Sequence, residues 1–195
     1  MSQGRRKPTL MVMVGSTRPT RLGAPIARWF VDVATDHGGF ELTVADLAEL
    51  ALPFLDEPES PRYGRHFHEH TKRWSEMVSA IDALVVVTPE YNGSLTAPVK
   101  NAIDFLYAEW HYKAIGYVSY GGRSAGTRAV QALRQVATFV KMVPVADAVA
   151  LPFIETLFDS MGCFVPEEAS GRAANLMLDE LVRLDAALQV LRAPA

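Results

Sequence analysis

The sequence is short of cysteine: Cys163 is the single one in 195 residues, so no disulfide can close within the chain and a reducing compartment is expected. It also lacks any run of about 18 consecutive apolar residues, the length a membrane-crossing helix needs. The apolar run after the polar, basic stretch Met1–Lys7 stops at Gly15-Ser16, too soon for a secretory signal. The expected product is soluble and cytoplasmic, with no membrane partner. Charge of one sign is missing too: 19 Lys and Arg face 22 Asp and Glu, for a net charge of −3. Proteins that bind nucleic-acid phosphates carry a basic excess, so nucleic acid is not an expected partner. The first glycine loop is neither the P-loop of nucleotidases nor the GxGxxG dinucleotide fingerprint. There is no internal repeat, low-complexity tract or sign of a second domain.

What remains is a composition with 49% hydrophobic and 21% charged residues, that of a globular domain. Short apolar, β-branched runs at Pro8–Val14, Phe40–Asp46, Ala83–Val87 and Ala114–Tyr120 predict strands. A fifth strand is expected within Lys141–Ala150, with Pro144 obscuring its start. Between them, apolar residues at helical spacing predict helices. The first carries Ile26, Phe30 and Val33 and ends near His37-Gly38-Gly39. Others span His66–Ile81, Pro98–Tyr107, Ser124–Thr138 and Ala173–Leu191. Leu47–Gly64 reads as a loop broken by Pro53, Pro58 and Pro61, and Pro152–Glu168 is ambiguous. The stripe Met177, Leu181, Leu184, Leu188 and Leu191 is expected to pack on the chain's own sheet. Alternation of strand and helix predicts a three-layer α/β fold, with a five-stranded parallel sheet in the order 2-1-3-4-5. Residues 1–195 are read as a single domain.

In that order the loops after strands 1, 3 and 4 share one crevice at the carboxyl edge. The first, Gly15-Ser16-Thr17-Arg18-Pro19-Thr20-Arg21-Leu22-Gly23, sets hydroxyls and arginines at a helix start. N–H groups and the positive helix end there suit a phosphate. A helix cap with solvated arginines would read the same way. The second, Thr88-Pro89-Glu90-Tyr91-Asn92-Gly93-Ser94, is a fixed turn. It could aim backbone N–H groups and the Asn92 amide at a planar heterocycle, with Tyr91 packing on a ring. An ordinary Asx turn is the plainer reading. The third, Ser119-Tyr120-Gly121-Gly122-Arg123-Ser124, allows close backbone approach and offers Tyr120 as an aromatic wall.

These blocks, GSTRPTRLG, VVVTPEYNGSLTAPVKNAIDFLYAEW and SYGGRSAGTRAVQALR, together resemble the NADPH-dependent FMN reductase family over about Thr9–Val145. These are flavodoxin-like flavoproteins that include quinone, azo-dye and chromate reductases. The resemblance implies FMN as cofactor and NADPH or NADH as hydride donor. The FMN phosphate would lie at Ser16, Arg18 and the backbone near Leu22 and Gly23, with Thr17 and Arg21 counted among the cofactor-binding residues. Pro89, Glu90, Tyr91, Asn92 and Gly93 would run along the isoalloxazine, and Ser119, Tyr120, Gly121 and Gly122 would flank it. Many members have Ser or Asn where this chain has Arg21. The resemblance further implies a homodimer or homotetramer, with Ala108-Glu109-Trp110 and the preceding helix at the interface. The expected cycle is ping-pong: a hydride passes from NAD(P)H to FMN, then two electrons pass to a quinone-like small acceptor. No catalytic side chain and no metal are expected. Two alternatives are a reductase that uses free FMN for a partner monooxygenase and an electron-carrying flavodoxin. The mild net charge argues against the second.

Other features are read structurally. His66, His68 and His70 lack the HExxH spacing of a zinc site, although His66 and His70 would share a helix face. Cys163 is read as a packed or bystander thiol, and Trp29 and Trp74 as core. Arg123 is a candidate for the extra phosphate of NADPH or a solvated loop arginine.

Overall fold

A computed structural model describes residues 6–192. Along the chain run β1 (Thr9–Val14), α1 (Gly23–His37), β2 (Glu41–Asp46), α2 (Leu47–Leu50), α3 (Glu69–Ser79), β3 (Ala83–Pro89), α4 (Ala97–Asp104), β4 (Ala114–Tyr120), α5 (Thr127–Phe139), β5 (Val143–Pro144), β6 (Val149–Leu151) and α6 (Glu168–Arg192). The strands are parallel and ordered β2-β1-β3-β4-β5, with β6 also on β4. This is the predicted topology.

The inner strands are predominantly apolar because helices cover both faces. Successive side chains alternate between the two layers. Leu10, Val12, Val14, Val85 and Val87 face α1 and α6. Met11, Met13, Leu84 and Val86 face α3, α4 and α5. Each such side chain, fully buried, contributes about 1.5–3 kcal/mol of transfer free energy. In α1, Ile26, Phe30 and Ala34 recur every four residues and are buried. The helix stops where Gly38, at φ 73°, turns left-handed, as its sequence predicts. In α6, Met177, Leu181 and Leu188 are buried in the chain's own core. Leu184 is half-buried and Leu191 is exposed. A Cβ on Gly116 of β4 would lie 2.8 Å from Met177 Sδ, so glycine there lets α6 lie close on the sheet.

The structure corrects several expectations. The single fifth strand is two short pieces, β5 and β6, each paired with β4. Val143 and Val145 donate to Lys113 and Ile115 of the β4 side (2.9 and 3.0 Å), so Pro144, which has no N–H, turns its nitrogen to the open edge. The loop after β2 begins with α2, whose first turn is capped by Asp46 accepting from Ala48 N at 2.9 Å. Ala51 ends it left-handed at φ 46°, without the glycine that signals such an end.

The helix expected from His66 starts at Glu69, and the one expected to reach Tyr107 ends at Asp104. His66 and His70 therefore share no helix face. His66 Nε2 meets Glu109 (2.7 Å) and His70 Nε2 meets Asp56 (2.9 Å). Among the described residues, no group of three His, Cys, Asp or Glu side chains could hold a metal ion.

Trp110, placed at an interface by the resemblance, is fully buried within its own chain. It donates from Nε1 to Ile103 O (3.1 Å) and packs edge-on against Trp74. Trp74 is core as expected, while Trp29 is half-buried against Phe164. Cys163 is exposed, not packed. It sits in a turn where the Asp159 carboxylate accepts from Met161 N and Cys163 N at 2.9 and 2.8 Å. No helix among the described residues is long and apolar enough to cross a membrane.

Candidate functional site

Parallel strands put every strand-to-helix loop at the same edge of the sheet, and β1, β3 and β4 are neighbours there. The first loop is stitched to β3 before it turns. Gly15 N donates to Val87 O (2.8 Å), and the buried Thr96 hydroxyl donates to Gly15 O (2.7 Å) while capping α4. Ser16 is 1% exposed, and its Oγ lies 3.0 Å from the Tyr120 hydroxyl. Gly23, the first residue of α1, closes this corner. A Cβ there would stand 2.4 Å from Ser16 Oγ and 2.8 Å from Tyr120 Oη, so any side chain at this position would push the pair out of place. The start of α1 has no side-chain cap and no acidic residue in its first turn. Its orphan N–H groups are therefore free of side-chain acceptors.

The two arginines of this loop differ. Arg21 is bound to Asp46 at 2.7 Å, both side chains being largely buried. Its charge is thus matched at the end of β2, although its buried Nε has no partner. Arg18 is exposed and has no ion-pair partner among the described residues.

The second loop turns on Asn92 and Gly93, at φ 51° and 80°, between Tyr91 and Ser94, which exchange N–H···O bonds of 3.1 Å. Two central residues at positive φ form the tight turn that Asn-Gly favours. Glu90 reaches across to the start of α5. It accepts from Ser124 Oγ (3.2 Å), Arg128 N (3.1 Å) and Arg128 Nε (2.6 Å). Burial pulls its pKa up, but the hydrogen bonds and charge of Arg128 and the Ser124 hydrogen bond outweigh this and hold it below the ordinary value. Glu90 is an ionised clamp between loops, with its oxygens already engaged.

The third loop is fixed from its far side. Gly121 N donates to Leu151 O (3.2 Å), while Phe153 N and Ile154 N donate to Gly122 O and Gly121 O (3.1 and 3.0 Å). The segment after β6 thereby forms one wall of the site.

Between the loops lies a crevice of about 460 Å³, within the usual range for small-ligand sites. Of the first-loop candidates, Ser16, Arg18, Arg21 and Leu22 line it. So do Pro89, Glu90 and Tyr91 of the second loop, and Tyr120, Gly121 and Gly122 of the third. Gly23 shapes it from behind. Asn92 and Gly93 form the exposed turn beside it, and Ser119 is buried inside β4. Thr17 instead lines an apolar hollow of about 500 Å³ with Leu47, Leu52, Phe54 and Pro98. A polar hollow of about 520 Å³, lined by Glu90, Gly121, Gly122, Arg123, Ser124 and Arg128, borders the crevice on the other side. The crevice also takes in Thr20, Ile154 and Glu155. Thr20 stands within the first motif. Ile154 and Glu155 lie in the stretch that has no periodic pattern, and nothing local announces them.

The crevice thus joins an uncapped helix start, a free arginine and a serine hydroxyl at one end to backbone and an aromatic side chain at the other. An elongated ligand with an anionic end and a planar end, such as FMN, fits this donor set.

The model of the NADPH-dependent FMN reductase family matches residues 8–156. The chain is 40% identical over 149 residues to an NAD(P)H-dependent FMN reductase of Schizosaccharomyces pombe, covering 74% of each chain. It is 31% identical over 141 residues to a quinone reductase of Pseudomonas putida, covering 69% of this chain and 72% of that one. In fold it is similar to FerB, a flavoenzyme NAD(P)H:(acceptor) oxidoreductase of Paracoccus denitrificans. That comparison has a TM-score of 0.72 at 22% identity and covers 92% of this chain and 98% of the other.

Proposed function

Because this chain belongs to the NADPH-dependent FMN reductase family, it is an FMN-dependent NAD(P)H oxidoreductase, and we propose that its crevice holds FMN phosphate-first against the loop Gly15–Gly23. The observation that carries this placement is the uncapped, acid-free start of α1 beside the unmatched Arg18. The Ser16 hydroxyl, Arg18 and the N–H groups near Leu22-Gly23 would hold the phosphate, while Thr17, which lines the neighbouring apolar hollow, would shape the loop. Arg21, already paired with Asp46, would fix the loop and add positive field. The backbone of Pro89, Glu90 and Tyr91 would run along the isoalloxazine, facing Tyr120, Gly121 and Gly122. Glu90 would set the spacing of those two loops through Ser124 and Arg128. Asn92 and Gly93 would give the second loop its shape, and Ser119 would anchor the third.

When bound, FMN supplies the redox chemistry, taking a hydride from NAD(P)H and giving two electrons to a small acceptor in a ping-pong cycle. The protein's share is to bind, orient and keep the open face of the crevice accessible to donor and acceptor in turn. No side chain is assigned as nucleophile, acid or base. The acceptor class is quinone-like, in keeping with the Pseudomonas relative. Residues 1–195 form one FMN-binding domain in this reading. The protein acts in the cytoplasm, as its single cysteine suggests, and as a homodimer or homotetramer.

The test is spectroscopic and kinetic. The purified protein should show flavin absorbance or bind FMN on titration, and should oxidise NADPH with a quinone acceptor. A colourless protein that fails to bind added FMN overturns the reading. Flavin that co-purifies separates a resident cofactor from a free substrate.

A further inference from the structure

We propose that Tyr120 is a positioning residue for the cofactor's phosphate: held from the end of β4, its phenol donates to Ser16 Oγ and leaves the serine proton to point into the crevice. The inference rests on the phosphate placement of the preceding subsection and deepens it. From sequence Tyr120 reads as a wall for the ring. The structure gives it a second role: its hydroxyl reaches the first loop, on the far side of β3, where it lies 3.0 Å from Ser16 Oγ.

Both groups are almost fully buried, Tyr120 at 5% and Ser16 at 1% exposed, so neither hydroxyl exchanges partners freely with bulk water. The phenol is the more acidic of the two hydroxyls and so the better donor. Serine, having accepted that bond, has its own proton left for an acceptor in the crevice. A hydroxyl that accepts one hydrogen bond is also polarised to donate a stronger second one. Gly23 shows how closely the pair is fitted, since a Cβ there would meet both oxygens below 3 Å. Arg18 lines the same crevice, so the chain Tyr120–Ser16 ends beside a free guanidinium, as an anion site would require.

Burial pushes the Tyr120 pKa up to about 12, against the smaller downward pull of the Ser16 hydrogen bond and of Arg21 and Arg18. Tyr91, the other titratable group facing it, raises it further. The phenol therefore keeps its proton throughout the neutral range.

The experiment titrates FMN and riboflavin, which lacks the phosphate, into the flavin-free full chain and into Tyr120→Phe, Ser16→Ala and the double variant. Tyr120→Phe keeps the ring and removes one oxygen; circular dichroism and a thermal midpoint confirm its fold. The expected result is a loss of FMN affinity of about three- to tenfold in Tyr120→Phe, the size of one hydrogen bond, with riboflavin affinity unchanged. In the Ser16→Ala background the Tyr120→Phe change should add less than about twofold, because the phenol acts through the serine. Equal weakening of FMN and riboflavin, an unchanged FMN affinity, or fully additive losses would each overturn the proposal. Equal affinity of the unaltered chain for the two flavins would overturn the phosphate placement itself.

Discussion

At the amino edge of the sheet, Asp82 accepts from Thr9 N (2.8 Å) and pairs with Arg6 (2.7 Å). Arg192 of α6 pairs with the buried Asp185 and donates to the Asp82 and Tyr112 carbonyls (3.1 and 2.9 Å). Lys113, 5% exposed, donates to Ile81 O. At the carboxyl edge, Arg18 stands exposed beside an uncapped helix start. The first set of charges is consumed inside the protein and fastens α6 to the strands. Arg18 and the N–H groups of α1 are left over for a ligand. Arg21, near the crevice but committed to Asp46, shows that position alone does not make an arginine a ligand. The lesson is to ask where each charge already has a partner before giving it a role.

The largest effect should come from breaking the amino edge. Asp185→Ala removes the nearer of the two carboxylates beside Arg192, leaving Asp82 at 3.9 Å, and should cost about 3 kcal/mol in a urea melt, the low end for a broken buried pair. The folded fraction should bind FMN as before; a selective loss of flavin affinity would dissolve the contrast between the edges.

Next comes pH. Burial, helped by the positive charge of Arg192, lowers the Lys113 pKa from 10.5 to about 8, against the pull of Asp82, Asp185 and Glu109. Between those two values the unfolded chain binds the proton and the folded chain does not, so stability from this group rises with pH across the window. Lys113→Met should abolish a rise of about 3 kcal/mol, seen by comparing denaturation midpoints of the two proteins at both ends of that range.

At the carboxyl edge, Gly23→Ala should destabilise by about 1–3 kcal/mol through overpacking, despite the roughly 0.5–1 kcal/mol that alanine gains over glycine in a helix. It should weaken FMN more than it weakens riboflavin. The mildest change in stability is expected for Arg18→Ala, within about 0.5 kcal/mol of the parent. Its FMN affinity should fall about tenfold, less at high salt, as read by flavin fluorescence. A stability loss matching the affinity loss would place Arg18 with the structural charges.

The parts of this fold that can be read from sequence are those in which one local pattern settles the outcome. β1, β3 and β4 are mostly apolar runs, with Thr88 and Ser119 buried near the carboxyl ends of β3 and β4, and a strand covered on both faces is predominantly apolar. The three loops are legible because each combines glycine or proline with polar residues at a strand end, and ten of the fifteen candidates line the crevice. What escapes local reading depends on partners distant in sequence. The Tyr120 hydroxyl meets Ser16 across 104 positions, and the Trp110 indole disappears into a core built partly by α3. The end of α2 at Ala51 uses a left-handed residue that is not glycine. Ile154 and Glu155 enter the crevice because Gly121 and Gly122 bind the backbone that carries them.

Pro144 has a consequence beyond its own strand. A sheet edge recruits strands from other molecules through a row of outward N–H and C=O groups. At β5 that row is two residues long, and the position facing outward has no hydrogen to offer. A second chain laid against it would find no template to continue. A fibre-like ladder therefore has no starting rung at β5.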